Sequence, residues 1–435
     1  SRQIRGDQLA GQAVLALENS PQQALLLAVE ALRLSSDRDI PLSHGVEQGM
    51  HDVLHATGGT PIPAGDAYAT ALALSPDARW VALANEMGQV LQWSLDRPDA
   101  PPAELATAGE PIAWALAASP DGALAAVDEA GAIRVWPANN KSGAPLRLQT
   151  GGPLFTVTFT PDAQAVVAGG SDGAIYIWLF NQPEVAPMVL QGHTDAVNVV
   201  AASPDGRWLA SGGADNRVLL WPADRLDSPI LAATHDAPVS VLDFSSDATS
   251  LASGDSGGGV QWYDLTTLPE TAQRLPSQSG RVSAMDFSLN GRWLATGDEN
   301  GVVRLWSLDN PALGYPVRAH ESIVSGLAYV AGAGGEKLVS TGYDGAVRLW
   351  DYRTPGVAPE TVRGHDGVIN LLGAAPSVNG FVTAGHDRTL RVWNITSPQA
   401  EPATLAASTP FVDDLAMAQG SAALYASGIT SNAVE

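Results

Sequence analysis

Short runs of alternating apolar and polar residues recur along most of the chain, and each ends in a tryptophan. They read VLQW at Trp93, IRVW at Trp136, IYIW at Trp178, VLLW at Trp221, VQW at Trp262, VRLW at Trp306, VRLW at Trp350 and LRVW at Trp393. Alternation with period two predicts half-buried β-strands. Successive tryptophans stand 43, 42, 43, 41, 44, 44 and 43 residues apart, a fixed period that marks a repeat architecture. Upstream of the tryptophan, most periods carry a tight-turn string: SPDA at 75, SPDG at 119, TPDA at 160, SPDG at 203, SSDA at 245 and SLNG at 288. Between turn and tryptophan lie an apolar strand, a Gly-rich turn and a second alternating strand, as in WLASGGADNRVLLW over 208–221. With the run before the turn and a short one after the tryptophan, each period holds four strands.

Both ends depart from this pattern. Over residues 1–55, Leu9, Ala13, Val14 and Leu17 fall on one helical face, and Ser20-Pro21 supplies an N-cap and first-turn proline for a second helix, QQALLLAVEALRLS. That second helix is apolar on most sides and needs burial. A shorter helix is expected around 42–54. The expected division is therefore an α-helical segment over 1–55 and a repeat domain over 56–435. After Trp393 the pattern begins a ninth time and stops before its tryptophan, so the native chain is expected to run on, into a second ring of repeats.

Composition narrows the function classes. The chain has 435 residues, 45% of them hydrophobic and 16% charged, with 44 Gly and 30 Pro, as suits many short strands and turns. Its formal charge is −23, and Lys141 and Lys337 are its two lysines, which disfavours nucleic acid and anionic membranes as partners. There is no cysteine, so disulfides, thiolate metal sites and cysteine catalysis are excluded. The most apolar segment, ALLLAVEAL at 24–32, is interrupted by Glu30 and falls short of the roughly 20 residues of a membrane span.

Four short strands per period, GH near the start and W followed by D or N in places resemble the WD40 repeat family, over roughly residues 53–435. The resemblance implies an all-β fold, a β-propeller of seven or eight blades built from eight Trp-terminated repeats plus the partial ninth, preceded by the helical hairpin. It also implies a hydrogen-bonded tetrad in each regular blade. The family's pattern falls on His193, Ser211, Asp215 and Trp221; on His320, Ser340, Asp344 and Trp350; and on His365, Thr383, Asp387 and Trp393. In all three the Asp stands six residues before the Trp. Met87, Ala130 and Asn300 replace that Asp in the first, second and sixth repeats, and the third has Asp172 without GH, so those blades are expected to rely on apolar packing.

Candidate chemistry is scarce. Gly254-Asp255-Ser256-Gly257-Gly258 matches the nucleophile loop of trypsin-like proteases, with His235 and Asp236 nearby as would-be triad partners. In the repeat frame, however, His235 falls where His193 does and Ser253 where Ser211 does, which makes GDSGGG the turn between a blade's second and third strands. Leu251 to Trp262 spans 11 positions where Leu209 to Trp221 spans 12, so this turn is expected to be one residue short. His51 and His55 share a helical face with Asp52 adjacent, a weak metal pair. The GxDxG strings around Asp172 and Asp344 lack the ligand spacing of calcium loops. The reading is a chain without catalytic residues, cofactor or metal.

The function that follows is a non-catalytic protein-interaction scaffold or sensor. By analogy with the family, partner contacts are expected on the face carrying the GH loops, at Asp195, Glu321, Ser322, Tyr343, Asp366 and His386, and the acidic balance favours a partner with a basic surface. The helical SPQQALLLAVEALR running into the repeats resembles the junction in large bacterial signalling proteins with a STAND-type NTPase, caspase-like, TIR or kinase module upstream. That resemblance implies an effector domain in the same polypeptide and a cytoplasmic location. The alternative is a structural subunit of a multiprotein or membrane-associated assembly.

Overall fold

The computed structural model describes residues 60–395, apart from short stretches in loops, together with strands at 404–405, 415–417 and 425–426. The helices expected over 1–55, with His51 and His55, lie outside the described residues. Among the described residues every regular element is a strand, and no helix is long and apolar enough to cross a membrane.

The strands form eight sheets, one per repeat, arranged as the blades of a propeller. Blade four shows the plan: Val197–Ala202, Trp208–Gly213, Arg217–Pro222 and Ile230–Thr234 pair antiparallel in chain order. Its first two strands are buried along almost their whole length because both faces are covered by neighbouring blades, so they read VNVVAA and WLASGG rather than alternating. The outermost strand is covered least and mixes exposed with buried positions. Each blade's first strand packs beside the first strand of the next, and the series returns from blade eight to blade one, which closes the ring.

The turns are specified by side chains. In SPDG of blade four, Ser203 Oγ accepts from Trp208 N at 2.9 Å and donates to Asp205 Oδ1 at 2.7 Å, while Asp205 Oδ1 accepts from Arg207 N at 3.0 Å. This seals a bend that backbone bonds alone would leave open.

Closure brings distant sequence together. One core is shared across the seam by Leu74, Val81, Leu83 and Trp93 of blade one and Phe381, Val382 and Trp393 of blade eight. The strand Thr60–Pro63 lies antiparallel to blade eight's third strand, Thr389–Asn394, with Ile62 opposite Leu390. Thr404–Leu405 is registered with the same stretch, Leu405 opposite Leu390. The other edge of that strand is occupied by Gly380–Gly385, so the two segments address one edge. The start of the ninth repeat, Leu415–Met417, runs parallel to blade one's first strand, Ala69–Leu74, with Leu415 opposite Leu72.

Candidate interaction face

Antiparallel order places the loop entering each blade and the turn between its second and third strands on one face of the ring. The histidines and their carboxylates therefore meet there. In blade four the Trp221 indole N–H donates to Ser211 Oγ at 2.9 Å, Ser211 Oγ stands 2.8 Å from His193 Nε2, and His193 Nδ1 stands 2.9 Å from Asp215 Oδ1. Blade seven repeats this with Trp350–Ser340 at 3.0 Å, His320–Ser340 at 2.9 Å and His320–Asp344 at 2.8 Å. In blade eight Trp393–Thr383 is 2.7 Å, His365–Thr383 2.7 Å and His365–Asp387 2.9 Å. A Cβ at Gly213 would stand 2.5 Å from His193 Nδ1 and 2.6 Å from Asp215 Oδ1, so only glycine lets the imidazole and carboxylate close on each other.

Charge is partitioned consistently. Burial pushes His193, His320 and His365 below the usual imidazole value, outweighing the pull of their carboxylates. Burial alone would raise Asp215, but hydrogen bonds from Thr194 N, His193 and Arg217 outweigh it and lower the carboxyl to about 2. A neutral imidazole beside an ionised carboxylate fixes the order of donation: Trp to Ser, Ser to His, His to Asp.

Blade five holds a fourth chain that the sequence pattern hid. His235 Nε2 is 2.7 Å from Ser253 Oγ, and His235 Nδ1 is 2.8 Å from Asp255 Oδ2. The fourth member is Tyr263, whose hydroxyl is 2.8 Å from Ser253 Oγ. Register explains why: Leu251 pairs with Tyr263, as Leu209 pairs with Trp221. The structural aromatic is thus Tyr263, Trp262 is a neighbour one step along the strand, and the interval from Leu251 is the same 12 positions. The turn GDSGGG is not shortened. Its carboxylate is instead moved two residues earlier, from the position of Asp215 to that of Gly213, where Asp255 Oδ1 also accepts from Gly257 N at 2.8 Å and Gly259 N at 2.7 Å.

The same displaced acid occurs in blades two and six. Asp128 Oδ1 accepts from Ala130 N and Ala132 N at 3.0 and 2.9 Å, and Asp298 Oδ1 from Asn300 N and Val302 N, each at 2.9 Å. Blade six completes its set with Gln278, which donates to Thr296 Oγ1, itself the acceptor of the Trp306 indole at 2.9 Å. These blades therefore keep buried polar order and do not rest on apolar packing alone. Their sequence signal is a D eight residues before the aromatic, rather than the six of Asp215 before Trp221.

Of the expected partner-contact residues, Glu321, Ser322, Tyr343 and His386 gather over blades seven and eight. Tyr343 is 36% exposed, with its ring centroid 6.4 Å from that of His386. His386 Nε2 is 2.9 Å from Asn370 Nδ2, and burial lowers its pKa to about 4, so the imidazole is a neutral hydrogen-bonding group near neutral pH. Glu321 is exposed and its backbone N–H donates to Asp344 Oδ2 at 3.3 Å. Asp195 is exposed at the entry to blade four, in another sector. Asp366 lies outside the described residues. Between successive blades, Asn198, Ser240 and Ser283 donate to the carbonyls of Val239, Val282 and Val324, at 3.0, 2.8 and 2.6 Å. Among the described residues no three His, Asp or Glu side chains gather as a metal site.

Comparison with known proteins agrees on the fold. A family model described as the IFT122 first beta-propeller matches residues 153–429. The Denticleless protein homolog of Danio rerio is 47% identical over 47 residues, which is 11% of this chain and 7% of that protein's length. Among solved structures, the computationally designed Ika8 protein superposes with a TM-score of 0.63 at 20% identity, over 78% of this chain and all of that one.

Proposed function

This chain belongs to the IFT122 first beta-propeller family, and from that premise we propose that it is a non-catalytic protein-interaction module whose contact face lies over blades seven and eight. The propeller fold is typical of protein-interaction scaffolds. The observation that carries the reading is the pairing of exposed Tyr343 with His386, beside exposed Glu321. An aromatic ring held by a fixed backbone loses little entropy on binding, and a neutral imidazole adds a directional donor. With a net charge of −23, the partner surface that fits is basic. We place the module in the cytoplasm as part of a larger bacterial signalling protein, with an effector domain upstream. That context rests on the resemblance of residues 20–33 to the junction in such proteins.

The test is affinity capture from an extract of the source cells, with the full chain and its variants as bait. Tyr343→Ala and Glu321→Lys should each abolish retention of a specific partner with unchanged melting temperature, while Leu231→Ala on the outer edge of blade four should retain it. Undiminished capture by both face variants would move the contact surface elsewhere. A short reading frame beginning near Ser1 would favour the structural-subunit reading over the sensor.

A further inference from the structure

The opposite face of the ring carries an apolar groove between blades three and four. It encloses about 780 Å³ and is lined by Leu179, Val185, Met188, Trp208, Leu209 and Leu226 among others, with Asp162 and Asp205 at its rim. Seven large hydrophobic side chains are conspicuously exposed among the described residues, and four of them, Leu179 (44%), Val185 (57%), Met188 (52%) and Val189 (45%), fall on this one stretch of blade three. Such a concentration marks a covered surface rather than scattered exposure.

The chain itself carries a segment in need of that cover. In the helix expected over 22–35, Leu25, Val29 and Leu32 form one stripe, and Leu27, Ala31 and Leu34 form another on the opposite side. A hairpin partner helix covers only one stripe. The stripe with the small Ala31 suits close approach to Ala13 and Val14 of the first helix. In the hairpin the sequence leads one to expect, the bulkier stripe needs cover from elsewhere in the chain.

Reach is sufficient. Twenty-five residues separate Leu34 from Thr60, where the chain joins the ring. Even with a helix over 42–54, that tether extends to about 60 Å. A folded chain of this length has a radius of gyration of about 22 Å, so every sector of the ring is within range.

We propose that the Leu25, Val29 and Leu32 stripe docks in cis into the groove between blades three and four. The docking site lies on the face opposite the proposed partner surface and stands independently of it.

The full chain is cysteine-free, which makes the test direct. Met188→Cys introduces a single thiol at an exposed position outside the core. A charged thiol reagent should modify it about tenfold more slowly than in the same chain carrying Val29→Asp, as expected for a weakly binding segment tethered at millimolar effective concentration. In a second variant, Leu25→Cys with Met188→Cys, oxidation should give an intrachain cross-link that leaves the protein monomeric. Equal modification rates with and without Val29→Asp would overturn the proposal. A cross-link formed only between two chains would overturn it in favour of a second copy as the occupant.

Discussion

Tyr263 and Trp262 show how much one residue of register decides. The phenol of Tyr263 is buried and bonded to Ser253, whereas Trp262 lies only partly buried against the core shared by blades five and six. Tyr263→Phe should therefore cost about 1 kcal/mol in urea unfolding, the net worth of a buried hydrogen bond. Ser256→Ala, in the protease-like string, should stay within about 0.5 kcal/mol, as expected of a turn position away from the core. A second residue-scale prediction concerns buried acids. Asp243 and Asp286 are almost fully buried on the first strands of blades five and six, and accept from Phe287 N and Tyr329 N of the following blades. Burial first, then the charge of Asp286 beside Asp243 and of Glu336 beside Asp286, raises both well above the usual carboxyl value. A raised folded value means stability that is present at acid pH and lost as pH rises toward that value. The tetrads act oppositely: with His193 and Asp215 both lowered, their contribution is present above about pH 6.5 and is lost as pH falls, first through histidine and then through aspartate. Asp243→Asn should accordingly raise the melting temperature at pH 8 and leave it unchanged at pH 4. An equal shift at both pH values would assign the gain to packing instead.

Blades were legible because their determinants are local. A strand of four to six residues, a turn sealed by its own Ser and Asp, and a buried aromatic at its end recur within each period, so the Trp spacing exposes the architecture directly. Three tetrads were equally legible, since Asp215, Asp344 and Asp387 keep one spacing. What escaped was substitution by equivalents: Tyr263 for tryptophan, Gln278 for histidine, and Asp255 or Asp298 two positions early. Geometry accepts any group that delivers the same atom to the same place, and letter spacing does not record that. The edge of blade eight's third strand was also not legible, because pairing between Thr60–Pro63 and Thr389–Asn394 joins residues more than three hundred apart. Pro61 and Pro63 alternate along that segment, which leaves Thr60 and Ile62 to supply its N–H groups and suits an outermost strand. Ile62→Pro should remove a ladder donor and speed hydrogen exchange at Leu390 and Val392. Leu405→Pro should change it little, because Thr60–Pro63 registers four pairs against two for Thr404–Leu405. The reverse ranking would make the chain's own C-terminal side the closing strand.

A ring differs from an open stack of repeats in having no terminal blade. In an open array each unit touches one or two neighbours and the ends fray first. Among the described residues the largest shared core runs from blade seven across the seam to blade one, with Phe381 stacked on Trp393 at 5.7 Å in a cluster that also contains Leu83 and Trp93. The seam joins the first and the eighth blade, so its loss frees both at once. Phe381→Ala should cost about 3–5 kcal/mol, the usual penalty for emptying a buried aromatic site. If closure makes the molecule one cooperative body, the lost protection should appear in blade one as well as in blade eight, with amides of Trp80–Asn85 exchanging faster by nearly the same factor as those of Gly380–Gly385. Blades four and five, half a ring away, should follow only through the global unfolding route. Confinement of the effect to blade eight would show instead that the blades open independently and that the seam adds no more than any other contact between neighbours.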